Sequence, residues 1–174
     1  MAFRRTATRG RAPRKRAVWV NIPFAQVAFT ESIGTQLLLT GEDWEAQFTG
    51  LANERAVLRA VVGEINIAQT TAGTAGGTCY WGIYMQDNNA TVNPAFTTSG
   101  MSEVTWLRTG CMATQSTITQ SLASSRQLVI PIDILVKRRI TSRDGIFICA
   151  QYGGDAATPA GSIGGILRFL VARD

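Results

Sequence analysis

The residues best suited to chemistry lie at the start of the chain. Arg4, Arg5, Arg9, Arg11, Arg14, Lys15 and Arg16 fall within residues 1–16, with no acid among them. That segment carries +7, against +5 for the whole chain. Seven of the 17 basic residues and none of the 12 acidic ones are therefore in the arm, which leaves residues 17–174 at −2. Cations at this density attract phosphate by charge, displace its counterions and need no fixed geometry. The Thr, Ala, Gly and Pro between them carry no apolar periodicity, so the segment is expected to be a disordered, nucleic-acid-binding arm. Fully extended, it would reach roughly 53–58 Å at 3.3–3.6 Å per residue. A second basic cluster, Lys137, Arg138, Arg139 and Arg143, lies at a strand end. Strand alternation sends Lys137 and Arg139 to one face, where they can meet nucleic acid, and Arg138 to the other. Solvated turn residues are the competing reading of that cluster.

Other chemistries lack their parts. The chain contains no histidine, which removes the commonest general base and the commonest metal ligand. Cys79, Cys111 and Cys149 are far apart and form no CxxC pair, so they read as reduced thiols, small apolar residues of a core. Glu42 and Asp43 suit the N-terminal end of a helix better than a catalytic pair. The run GTAGGT at 73–78 lacks the Gly-Lys-Ser/Thr ending of a phosphate loop. Asp87-Asn88-Asn89 presents oxygen ligands but a single carboxylate, thin for calcium. Asn89-Ala90-Thr91 matches a glycosylation acceptor, which matters only in a secreted chain, and no apolar segment follows the arginines as an export signal requires. No run approaches 18 apolar residues, so no membrane span is expected. The expectation is a protein without catalytic residues, cofactor or metal.

The elements that would carry these groups are mostly strands. Hydrophobic residues make up 45% and charged ones 17% of the chain, and there are 17 glycines, which favours short strands and turns over a helical bundle. Val18, Val20, Ile22 and Phe24 alternate with Trp19, Asn21 and Pro23, giving a strand to about Thr30. Leu37–Leu39 suggests a second. A helix is expected next, capped by Thr40, with Trp44 and Phe48 on one face and Gly50 closing it. In residues 56–68, Val57, Val61, Ile65 and Ile67 share one face, interrupted by Arg59 and Gly63. Cys79, Trp81, Ile83 and Met85 mark another strand, opposite Tyr80, Gly82 and Tyr84. A short helix is expected near Ser102–Leu107 and a polar strand over 110–119. The clearest strand is 127–139, with Leu128, Ile130, Ile132, Ile134 and Val136 on one face and Asp133, Lys137 and Arg139 on the other. Pro131 cannot donate to a ladder and predicts an edge, a bulge or an unpaired site. Ser142-Arg143-Asp144-Gly145 has hairpin-turn chemistry before the strand Ile146–Tyr152. Leu167, Phe169 and Val171 point one way in the last strand. Seven or eight strands with long loops at 70–78, 87–101 and 153–165 predict an all-β sandwich or barrel.

A basic arm followed by about eight strands, long loops and a small helix before a major strand resembles the single jelly-roll capsid proteins of small viruses. Three passages narrow the resemblance to the circovirus-like group of circular single-stranded DNA viruses. They are GEDWEAQFTGLANERAVLRAVVGEINI, SGMSEVTWLRTGCMATQ, and the closing pair VIPIDILVKRRITSRDGIFICAQY and GILRFLVARD. The likeness spans nearly the whole chain as a pattern of elements; the arm is short and the chain compact for that group. Satellite-type RNA virus shells share the outline. The resemblance implies an eight-stranded antiparallel jelly-roll β-sandwich with short helices in its connections, a genome-binding arm at 1–16 and a shell domain at 17–174. It also implies an icosahedral homo-oligomer in the virion, with the long loops outside and the arms lining the interior. In a shell of about sixty copies the arms would carry roughly 420 positive charges toward a single-stranded DNA partner. APRKRA, residues 12–17, resembles a nuclear-import signal, so a host import factor, a surface receptor and passage through the host nucleus are further expectations. The leading alternative is a cellular nucleic-acid-binding β-domain, ribosomal or architectural, with a basic tail. That alternative calls for a basic or aromatic binding face on the body.

Overall fold

The computed structural model describes residues 17–30, 34–45, 48, 56–71, 78–87, 96, 104–113, 127–153 and 160–173. The expected arm, the GTAGGT run beyond Thr78, Asn88 and Asn89, and most of the three long loops lie outside them. Eight strands are formed: β1 (Ala17–Phe29), β2 (Gly34–Leu39), β3 (Ala56–Thr71), β4 (Thr78–Asp87), β5 (Thr105–Ala113), β6 (Gln127–Ile140), β7 (Asp144–Gly153) and β8 (Ala160–Arg173). One helix, α1 (Gly41–Glu45), follows β2.

The strands make two four-stranded antiparallel sheets, β1-β8-β3-β6 (sheet A) and β2-β7-β4-β5 (sheet B). The pairs β4–β5, β3–β6, β2–β7 and β1–β8 are nested one inside the next. The chain thus behaves as one long antiparallel ribbon, closed at β4–β5 and rolled so that its halves fall into two facing sheets. This is the jelly-roll order. Its inner faces meet in a single core of Phe24, Phe29, Leu58, Val61, Ile65, Ile67, Trp81, Ile83, Ile148, Leu167, Phe169 and Val171, among others.

Period-two reading holds in β1, β4, β6 and β8, where Val20, Phe24, Cys79, Trp81, Ile83, Ile132, Leu167, Phe169 and Val171 are buried as alternation requires. Leu128, expected with them, is exposed. In β3 the expected face is wrong at one end. Ala56 and Leu58 are buried there, and Val57 is only half-buried, whereas Val61, Ile65 and Ile67 are buried beyond it. The cause is an irregularity that grows across sheet A. Leu58 and Ala60 face the adjacent residues Val171 and Leu170 of β8, so Arg59 is one extra residue. On the other side Arg138 and Leu135 face the same two positions, so β6 carries Val136 and Lys137 opposite Arg59. One extra residue turns a strand over, and two restore it. That is why β3 changes face while β6 keeps Ile132 and Ile140 both inward. The second extra residue of β6, Lys137, takes φ +50°, a left-handed conformation uncommon outside glycine.

Sheet A is also creased lower down. Pro23, Ile166, Glu64 and Pro131 form one cross-strand row, with a proline on each edge strand. Pro131 thus stands where its missing N–H predicts, on the edge strand β6. Beside this row Gly63 (φ 146°) and Gly165 (φ 150°) allow the backbones of β3 and β8 to approach. A Cβ on Gly63 would overlap the Ile166 carbonyl oxygen, and one on Gly165 the Glu64 carbonyl oxygen.

Thr40 caps α1 as expected. Its N–H and Oγ1 both donate to Asp43 Oδ2, at 2.7 and 3.0 Å. Thr141 repeats the device in the β6–β7 turn, donating from N–H and Oγ1 to Asp144 Oδ2 at 2.7 and 2.9 Å. The two turns touch: a Cβ on Gly41 would lie 2.7 Å from both Ser142 Cα and its carbonyl oxygen. Trp44 and Phe48 are buried with their rings edge-on; α1 is described to Glu45, and the expected close at Gly50 lies outside the described residues. The expected helix at Ser102–Leu107 is overturned, because Thr105, Trp106 and Leu107 open strand β5. A Cβ on Gly82 would strike the Trp106 ring, so the bare β4 backbone there is what lets that tryptophan lie flat on the sheet.

Candidate nucleic-acid interface

The arm joins the body at Ala17, the first residue of β1, and the register of sheet A shows what lies level with it. Ala17 faces Ala172, Ala172 faces Val57, and Val57 faces Arg139. The first residue after the arm and Arg139 thus share one row across all four strands. Strands lie about 4.8 Å apart, so the two backbones are separated by roughly 14 Å. Both residues are exposed, as are Arg59 and Lys137 between this row and the next. The irregularity brings these cations together: the extra residue that turns β3 over is Arg59, and Lys137 stands opposite it. No ion pair of Arg59 or Lys137 with another described residue is found.

Lys137 and Arg139 therefore share an exposed face, as alternation predicts. Arg138 leaves in the other direction and donates from Nη2 to Thr105 Oγ1 of sheet B at 3.3 Å. Arg143 sits in the β6–β7 turn, its backbone N–H donating to Thr141 Oγ1 at 3.3 Å. Arg4 to Arg16 lie outside the described residues.

Three residues of this face are absent from the sequence-derived site. Arg59 was read as an interruption of a core face, because period-two counting has no means of seeing an extra residue supplied by pairing. Trp19 and Arg168 act together: the Arg168 guanidinium lies 5.0 Å from the centre of the Trp19 ring, and its Nε donates to Asn21 Oδ1 at 3.0 Å. Their signal was available, since both lie opposite apolar sets already assigned to the core. Trp19 is 39% exposed. Asp133 and Glu64 follow on the same face, beyond the row of Leu135.

The outer face of sheet B is apolar. Leu37, Phe147, Tyr84 and Trp106 form one row across all its strands. Tyr84 stacks on Phe147 at 5.3 Å and meets Trp106 at 5.4 Å, and Phe96 lies against both Trp106 and Tyr80. Tyr84 is wholly buried although it points away from the core, and burial raises its hydroxyl above the usual phenol range.

Cys79 and Cys149 are placed for packing, and the reading of all three thiols as core residues fails at Cys111. Burial pushes Cys79 and Cys149 up to about 12, which leaves them protonated near neutrality and poor nucleophiles. Cys111 is exposed on β5. Among the described residues, no three His, Cys, Asp or Glu side chains gather to hold a metal ion, and no helix is long and apolar enough to cross a membrane.

Neither a protein-family model nor a curated protein matches the chain. Among solved structures it is similar to infectious bursal disease virus Gt strain, with TM-score 0.40 and 16% identity over 92% of this chain and 33% of that one. It is similar to the VP2 subviral particle of the same virus, with TM-score 0.40 and 15% identity over 92% of this chain and 34% of that one. A CocE/NonD family hydrolase from Staphylococcus aureus gives TM-score 0.38 and 12% identity over 91% of this chain and 37% of that one. The chain spans about a third of the length of these structures. A virus particle and a hydrolase share this likeness about equally, so it separates no functions.

Proposed function

We propose that the chain is the coat protein of a small icosahedral virus, with residues 17–174 as the shell unit and residues 1–16 as the arm that packages the genome. The observation that carries this reading is the placement of charge on a nested sandwich. A +7 segment is fused to β1 at the end of sheet A where Arg59, Lys137 and Arg139 emerge from β3 and β6, while the body as a whole is net negative. A jelly roll whose cations leave from one end of a sheet can turn that end toward nucleic acid. The resemblance to circovirus-like coat proteins implies a circular single-stranded DNA genome, about sixty copies and a route through the host nucleus.

The cationic patch on the body also suits a monomeric nucleic-acid-binding β-domain with a basic tail, and one measurement separates the two. Light scattering and electron microscopy of the purified full-length protein should show uniform hollow spheres. A monodisperse 18.8 kDa species at all concentrations and ionic strengths overturns the coat-protein reading. Deleting residues 2–16 should abolish nucleic-acid uptake while leaving particle formation intact.

A further inference from the structure

We propose that the arm end of the outer face of sheet A is itself a binding track for a single-stranded polynucleotide, with Arg59, Lys137 and Arg139 taking phosphates and Trp19 taking an unpaired base. The inference rests on the nucleic-acid reading of the arm and extends it onto the folded body.

Charge complementarity and chain continuity identify the occupant. Three exposed cations stand at the junction of β3 and β6, and the row that holds Arg139 also holds Ala17, where the seven-cation arm is attached. A polyanion held by the arm therefore starts at the same end of the sheet, about 14 Å across it from Arg139. Acids bound the track. Asp133 and Glu64, two and three rows beyond that of Arg139 with the row of Leu135 between, repel phosphate and confine it to the arm end of the face. The left-handed Lys137 adds a second sign. A lysine at φ +50° costs backbone energy that glycine or asparagine would avoid, and such strain is retained where the surroundings enforce it. Here it keeps a cation opposite Arg59.

Trp19 sets the strandedness. It lies two residues beyond Ala17 and two to three strands from the cations, roughly 10–14 Å away. Arg168 holds the ring by cation–π contact and is itself held by Asn21, so the tryptophan is oriented before any ligand arrives. A part-exposed ring held on one face by Arg168 beside a cationic strip can accept a base by stacking, and only an unpaired base can reach it. Duplex bases are occupied by their own stack.

The test is fluorescence anisotropy with labelled oligothymidylate and with the corresponding dT·dA duplex, titrated against salt, using the full-length chain. Arg59→Gln, Lys137→Asn and Arg139→Gln are combined with the arm intact; asparagine tolerates the left-handed conformation at 137. The combined variant should lower the slope of log K against log salt by about 2, at about 0.7 per phosphate contact on a single strand. Trp19→Leu should weaken single-strand binding about tenfold with the slope and the duplex affinity unchanged, and Trp19→Phe, which keeps a ring, should restore most of it. Circular dichroism of each variant verifies the fold. If the combined variant keeps the full slope while deletion of residues 2–16 loses it, the track is refuted and the arm reading stands. Unchanged slopes in both refute the arm reading as well. Equal loss of single-strand and duplex binding in Trp19→Leu refutes the stacking role.

Discussion

Gly63→Ala is the substitution that this fold should tolerate least. At φ 146° an alanine is strained wherever it points, and here its Cβ would also overlap the Ile166 carbonyl of the neighbouring strand. Strain at such a φ costs on the order of 1–3 kcal/mol. Forcing a methyl into backbone adds about 1–3 kcal/mol more. The sum, roughly 2–6 kcal/mol, is a large part of the 5–15 kcal/mol that holds a typical domain. Gly165→Ala should cost a similar amount, because its Cβ meets the Glu64 carbonyl in the mirror-image contact. Gly164→Ala is the internal control: it lies one residue away with an ordinary φ, and its Cβ would find only Gln26, at 3.3–3.4 Å. Urea unfolding followed by tryptophan emission measures all three. With a slope of about 2 kcal/mol per molar, Gly63→Ala and Gly165→Ala should lower the midpoint by at least ~1 M, and Gly164→Ala by much less. Equal midpoints for the three variants would refute the claim that the crease in sheet A requires glycine.

Gly41→Ala drives a methyl against Ser142 backbone at 2.7 Å and should lower the thermal midpoint by about 4–8 °C, for a cost of about 2 kcal/mol; differential scanning calorimetry measures it. Titration with a thiol reagent at pH 8 should find one fast thiol in the native chain, Cys111, with Cys79 and Cys149 reacting only on unfolding. Stability should fall on the alkaline side. The folded protein holds Cys79, Cys149 and Tyr152 at about 12, above their ordinary values of 9.0 and 10.0. The unfolded chain therefore releases these protons first, so their contribution is complete below pH 9 and lost progressively toward pH 12. Urea midpoints that stay flat from pH 8 to pH 11 would contradict that burial. Phe96→Ala should uncover Trp106 and shift its emission to longer wavelength, because the two rings lie 5.3 Å apart.

Most strands were legible because alternation and burial agree in them. In β1, β4 and β8 each apolar set reaches the core that its period predicts, and Pro131 marked β6 as an edge through the donor it lacks. The cap of α1 was legible for a similar reason: Thr40 and Asp43 satisfy each other locally, without help from distant chain. What escaped depends on partners that only pairing supplies. The start of β5 looked helical, yet Trp106 belongs to a strand because Gly82, 24 residues earlier, leaves its ring a flat place to lie. The turnover of β3 is invisible in its own residues, since its cause is the register against β8 and β6. The candidate site shows the same division. Lys137 and Arg139 were found on one face by counting in twos, whereas Arg59 joins them only through the extra residue. Tyr84 is buried outside the core because aromatic rings from β5 and β7 close over it.

The prolines at opposite rims of sheet A have a consequence for any crowded state of the molecule. Pro23 and Pro131 stand at the same level on its two outermost strands, and neither has a hydrogen to offer a newcomer. A neighbouring strand that tried to continue the sheet from either side would meet a gap in the ladder. Copies brought to very high local concentration can thus touch without continuing sheet A from one molecule into the next.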